Sequence, residues 1–342
     1  MNFPRPLLVC LATAAVLAGC GDPELTAQEL PAEPAATIAP YDPGDDVAAG
    51  QSALTLVPAD ATVVTITDFD ESRAALGMPD LTSDDLMSDR TDYWERARRE
   101  SVLLTEGMLV AESSRLMLDY GFTQDDVDWE AHFATPAGAG WILGFRPDLD
   151  LAPVERAVTD GVAGLSGATV DPARHLVSVG MATGDEESWG TIEGIADLAS
   201  DTPAESTYYR VGCVPLGTVL GPDADIEDQE AVVGQQDPTD LDSLGVFSVS
   251  FADGVATARL GAGRADLFAR SDLATVVSTT LRPTGGSIGF SDAFANPVVD
   301  PSSGRIGYDV AAPVATATAT LTDLLPFAVC NEVTPMEEPT GL

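Results

Sequence analysis

The stretch VFSVSFADGVATARL, residues 246–260, decides the fold class. Apolar and small polar side chains alternate along Val246–Phe251 and again along Val255–Leu260, the period of a strand with one face buried. Between the runs stand Ala252, Asp253 and Gly254. Asp-Gly between alternating segments is the mark of a tight antiparallel hairpin, because both turn positions need a positive φ.

Outward from this hairpin, the pattern keeps mixing short strands with helices. Downstream, the spacing predicts a helix from about Arg264 to Thr280, strands at Gly286–Phe290 and Arg305–Val310, and a helix from Pro313 to about Leu325. Upstream, β-branched residues predict strand character at Thr55–Val57 and Ala61–Ile66, then a short helix from Asp68 that stops near Gly77. A long helix is expected over Asp92–Tyr120, since Trp94, Ala97, Ser101, Leu104, Met108, Ala111 and Leu118 recur at three-and-four spacing before Gly121. Thr123-Gln124-Asp125-Asp126 reads as a capping box opening a short helix through Trp129. A strand at Trp141–Phe145, a helix at Pro153–Asp160 and a strand at His175–Val179 follow. The expected class is α+β: two strand-rich lobes with helices packed on mostly antiparallel sheets.

Charge bounds the function. The chain of 342 residues holds 16 Lys+Arg against 55 Asp+Glu, a formal net charge of -39. All 16 basic residues are Arg, so Schiff-base, P-loop and Ser-x-x-Lys chemistry have no lysine to use. Such acidity repels phosphate backbones and argues against a nucleic-acid partner. Yet 45% of the residues are hydrophobic, enough to build a core.

The N-terminus carries Arg5, an apolar run Leu7–Leu17 and then Leu17-Ala18-Gly19-Cys20. The run is too short to cross about 30 Å of hydrocarbon and reads as a secretory signal. Its end resembles the lipobox of bacterial lipoproteins. That resemblance implies cleavage before Cys20, acylation of Cys20, and attachment to the outer face of the cell membrane, so that the membrane itself is a partner. The lysine-free, Ala/Asp/Val-rich composition is similar to that of actinobacterial proteins. From Gly21 to Gln51 the chain turns to Pro, Ala, Glu and Asp without apolar period, as expected of a disordered tether spanning about 30 Å or more. The expected organisation is a signal at 1–19, anchor and tether at 20–51, lobes at 52–200 and 205–332, and a tail at 333–342. The acidic stretch Gly221–Gly245 is the strongest candidate for a boundary within the chain.

Of the four cysteines, Cys10 leaves with the signal and Cys20 takes lipid. Cys213 and Cys330 remain and are expected to pair, as exported thiols do. Closing so long a loop would stabilise the fold by up to about 4–5 kcal/mol.

Chemical motifs are weak. Gly285-Gly286-Ser287-Ile288-Gly289 fits the nucleophile-elbow pattern, but no histidine follows Ser287 and the next residues do not read as the required helix. Asp223–Glu230 superficially resembles a calcium loop, yet Asp228 and Gly234 stand where an EF-hand needs Gly and Glu. Paired carboxylates of glycosidase type carry no information in a chain this acidic. His132 and His175 are isolated. Neither a catalytic set, a cofactor site nor a metal site is expected. Arg90, Arg96, Arg98 and Arg99 stand out: they are expected either to pair with Asp92, Glu95 and Glu100 at helical spacing or to capture an anion or an acidic partner. These readings favour a lipid-anchored extracytoplasmic binding or interaction protein without catalytic activity. The alternatives are a substrate-binding-type receptor for a small soluble ligand and an extracytoplasmic enzyme with carboxylate or calcium chemistry.

Overall fold

In the computed structural model the hairpin closes as its sequence requires. Asp253 and Gly254 both take positive φ, 52° and 74°, and Ala252 faces Val255 across the turn. The structure describes residues 37–44, 47–184, 187–199, 202–281 and 287–336. The expected signal, Cys20 and most of the tether lie outside the described residues.

The strands are β1 Val63–Asp68, β2 Val127–Thr135, β3 Gly138–Phe145, β4 Thr169–Asp171, β5 Leu176–Val179, β6 Ser206–Val211, β7 Val246–Ala252, β8 Val255–Arg259, β9 Phe294–Asp300 and β10 Arg305–Val310. The helices are α1 Ala49–Ser52, α2 Phe69–Ala75, α3 Met87–Glu100, α4 Ser113–Asp119, α5 Ala152–Asp160, α6 Ile195–Leu198, α7 Leu216–Leu220, α8 Ile226–Val233, α9 Leu267–Thr280, α10 Phe290–Ala293 and α11 Pro313–Leu321. All ten strands among the described residues join one antiparallel sheet in the order β4-β5-β3-β2-β1-β6-β7-β8-β10-β9. The fold is α+β, and each expected lobe supplies one half of the sheet. The halves are continuous through the β1–β6 pair, where Val64 faces Tyr209 and Ile66 faces Thr207.

Side-chain alternation fixes what each face does. On one face Val64, Ile66, Ala131, Phe133, Ile142 and Tyr209 meet Leu54, Trp189, Ile195 and Leu198. The opposite face carries two apolar patches. Leu143, Phe145 and Val177 pack under α3 and α5, and Phe247, Val249, Phe251, Ile306 and Tyr308 pack under α9 and α11. Between the patches runs a buried polar seam of Thr65, Thr67, Glu130 and Ser206.

That seam explains why the expected helix over Asp92–Tyr120 is broken. α3 ends at Glu100, and the chain then crosses the sheet in extended form. Its amides are taken by side chains instead of by the preceding helical turn. Val102 N donates to Glu205 Oε2 at 2.8 Å and Leu104 N to Ser206 Oγ at 3.3 Å. Thr105 N donates to Thr67 Oγ1 at 3.0 Å, Met108 N to Glu130 Oε2 at 2.9 Å and Leu109 N to Gln124 Oε1 at 2.9 Å. Gly107 permits this path, since φ is 83° and a Cβ there would lie 2.7 Å from Gln124.

Other expectations shift for physical reasons. Thr123 does form a capping box with Asp126, but it serves one short turn that feeds directly into β2, so Trp129 lies on a strand. The expected strand at Gly286–Phe290 falls partly outside the described residues, and Phe290 instead opens α10. The acidic Gly221–Gly245 region contains α8, whose Asp225 and Asp228 cap each other's backbone. The folded body also begins before residue 52: Ile38 is buried and α1 packs on the sheet, so the tether ends earlier than its composition suggests. At the other end, Gln229 bonds both Thr334 O and Met336 N at 3.0 Å, which docks the start of the expected tail.

Cys213 and Cys330 form a disulfide with 4.8 Å between Cα atoms. The bridge flanks a short pairing in which Val214 N donates to Ala328 O and Cys330 N to Val214 O, both at 2.9 Å. Among the described residues, no helix is long and apolar enough to cross a membrane.

Candidate ligand-binding site

Two sequence motifs that are far apart along the chain meet at one recess in the second half. Gly221, at φ 91°, ends α7 and turns the chain into Pro222 and Asp223. The segment 287–289 lies opposite, and Ser287 Oγ donates to Asp223 Oδ2 at 2.5 Å. Behind this bond is a cavity of about 250 Å³ whose walls combine Val277, Phe290 and Leu324 with Asp223, Asp228 and Ser291. It shares Pro222, Ser287, Ile288 and Leu324 with a wider groove of about 690 Å³, bounded by Thr218, Thr318 and Thr322. Together they form a recess with a mixed inner cavity and an apolar groove rimmed by hydroxyl groups. The groove is within the size range of small-molecule sites, and its apolar walls suit a ligand whose apolar body is buried.

The recess has no arrangement for acyl transfer among the described residues. His132 lies on β2 and His175 just ahead of β5, both in the first half. His132 Nε2 is 2.6 Å from Glu130 Oε1 at the polar seam, and His175 turns the chain at φ 53°. Gly285 and Gly286 lie outside the described residues. Among the described residues, no three His, Cys, Asp or Glu side chains are placed to hold a metal ion.

The arginine group does not form one surface. Arg90 is buried and its Nη1 donates to Asp125 Oδ2 at 3.2 Å. The same carboxylate accepts from Trp94 Nε1 and Thr123 Oγ1, both at 2.8 Å. Arg96 and Arg99 share Glu100, at 3.6 and 2.9 Å, rather than Asp92 and Glu95. Arg98 lies 5.8 Å from the centroid of the Trp94 ring. Arg90 thus fastens α3 to the loop ahead of β2, while the other three lie along its last turns.

Sequence reasoning overlooked the recess because it is made of Leu, Ile, Val, Pro and Thr from four separate segments. It weighed Ser287 and Asp223 separately, and no spacing rule joins residues 64 positions apart.

The sequence matches no protein-family model and no curated protein. Two solved structures, crystal form I and crystal form III of TP0453, are similar to the chain at 10% identity, with TM-scores of 0.31 and 0.33. They cover 80% and 79% of this chain and 97% and 98% of their own. Likeness at that level carries no argument about function.

Proposed function

We propose that the protein is a lipid-anchored extracytoplasmic binding protein without catalytic activity, held at the outer face of the cell membrane through Cys20. In this reading it takes a small molecule with an apolar body into the recess between α7, α9 and α11. The observation that carries it is the apolar, uncharged groove, continuous with a cavity that Asp223 and Asp228 also line, in a chain of net charge -39. A ligand there gains by leaving water, at about 25 cal/mol per Å² of apolar surface buried, and one hydroxyl or amide on it can bond Ser287 or the threonines of the rim. The disulfide supports export.

A thermal-shift screen of the purified protein against alkyl alcohols, alkyl glycosides, sugars and amino acids tests the recess. A ligand at one hundred times its Kd stabilises the native state by about 2.7 kcal/mol. Alkyl compounds should raise the melting temperature of the parent protein and leave an Ile288→Trp variant, with its groove filled, unmoved. A flat response across the panel defeats the reading. Anchorage is tested separately: Cys20→Ser should move the protein from the membrane to the soluble fraction, and continued sedimentation with membranes would disprove attachment through that residue.

A further inference from the structure

A second cavity, in the first half of the molecule, has the opposite chemistry. Residues 37–44 and 47–52 pass along the body and are fixed there. Tyr41 N donates to Thr55 Oγ1 at 3.1 Å, and Tyr209 Oη donates to Gly50 O at 2.6 Å. Gly50 approaches β6 so closely that a Cβ would come within 2.7 Å of Thr207 Oγ1. The Tyr41 ring meets Trp129 edge to face, with centroids 5.5 Å apart and planes at 70°. Trp129 in turn lies against Gly144 of β3, where any side chain would collide with the indole.

Beneath this aromatic corner is a cavity of about 270 Å³. Its walls carry Tyr41, Trp129 and Phe145 together with the carboxylates Asp42, Asp68, Asp70, Glu71 and Asp128. Against these acids, Arg73 of α2 reaches Asp128 at 2.8 Å and Asp70 at 3.5 Å. Arg146 acts on Asp128 from a greater distance but is bonded to Asp126 and Asp148. Arg174 acts on Tyr41 and is bonded to Asp171. Asp253, at the β7–β8 turn, adds further negative potential at Glu71. The acids do not converge as a small hard cation requires. Aromatic rings beside carboxylates instead suit a larger cation whose charge is wrapped in hydrocarbon.

We propose that this cavity binds a small organic cation, an alkylated ammonium, seated against Tyr41 and Trp129 and neutralised by Asp68 and Asp128. The cavity is in the other half of the sheet and stands whether or not the recess takes a ligand. Loss of water and the neighbouring acids push the Asp68 carboxyl up to about 7 and that of Asp128 up to about 6. A bound cation favours the ionised forms and displaces their protons, so its affinity rises with pH between 5 and 8.

Isothermal titration with tetramethylammonium chloride, against sodium chloride at equal ionic strength and against magnesium chloride, tests the site. The expected result is one saturable site at pH 8 that weakens about tenfold or more by pH 5. Tyr41→Leu and Asp128→Asn should each weaken it about tenfold, with circular dichroism confirming that the variants fold. Should Tyr41→Leu not fold, Asp128→Asn carries the test alone. Heats no larger than those of sodium chloride would overturn the proposal. So would displacement by magnesium at equal concentration, or undiminished binding by a folded variant.

Discussion

The two halves of one sheet are held together differently. The first half is covered on both faces, and ion pairs with at least one buried partner fasten its layers: Arg73 with Asp128, Arg90 with Asp125 and Arg146 with Asp126. The second half has its large apolar cluster on one face, while the other face carries buried polar side chains: Ser248 Oγ donates to Leu198 O at 2.6 Å and Arg259 Nη1 to Ser250 Oγ at 2.8 Å. Its C-terminal segment is secured by the disulfide, by Gln229 at Thr334 and Met336, by Tyr208 and Arg210 at Asp323, and by the fully buried Arg270. The Arg270 guanidinium donates to Asp266 Oδ2 and Asp242 O at 2.7 Å, and to Phe327 O and Val329 O at 3.0 Å. The first half thus fastens its layers with ion pairs between side chains, whereas the second ties down its C-terminal segment through a disulfide and side chains bonded to that segment's backbone.

The sharpest way to break this contrast is Arg270→Met. It takes the Arg270 donor from the Phe327 and Val329 carbonyls, while Asp266 and Asp242 O keep Arg264, and should cost about 3–5 kcal/mol in urea unfolding. A loss below about 1 kcal/mol would mean that the C-terminal segment is secured elsewhere. Removing the disulfide through paired Cys213→Ala and Cys330→Ala changes should cost about 2–4 kcal/mol. Hydrogen exchange should then rise around Val214 and Val329 and stay unchanged in β2 and β3. Uniform loosening of both halves would contradict the division drawn here.

The pH response belongs to the first half. The folded-state pKa of Asp68, about 7, stands above its ordinary value of 3.8. The folded protein therefore holds a proton that the unfolded chain releases, and stability falls as pH climbs from about 4 to 7. Asp68 caps α2 through Glu71 N at 3.0 Å, and Asn caps equally well. Asp68→Asn should thus keep the helix and flatten the pH curve between about 4 and 7. An unchanged slope in thermal melts from pH 4 to 8 would assign the response to other groups. The smallest effect is expected for Ser287→Ala, within about 0.5 kcal/mol because the residue is exposed. Its consequence should be confined to ligand response at the recess.

Legibility followed local chemistry. The 246–260 hairpin, β10 and α5 could be read directly because a turn pair, a period or a proline start marked them. β2 was readable in principle: Trp129, Ala131 and Phe133 alternate with Asp128, Glu130 and His132. The polar set faces a buried seam rather than water, and the preceding capping box suggested a helix instead. β6, STYYRV, was missed although Thr207, Tyr208 and Tyr209 favour a strand. The long helix failed because its apolar spacing continues past Ser101 into a segment whose amides bond to side chains distant in sequence. Neither cavity was legible, since each is assembled from segments that meet only in the folded sheet.

The crossing segment also sets an order of events. Its amide partners come from both halves, and Glu205 lies 103 positions after Val102. β1, too, needs β6 as its second neighbour, and Thr67 meets Ser206 across 139 positions. Contacts this remote in sequence form slowly, because a long loop must close before they are gained. As the chain emerges from its N-terminus, the first half stays unfinished, with one edge of β1 open, until residues 205–211 arrive. A truncation before Glu205 should therefore leave an aggregation-prone fragment in place of an independent small domain.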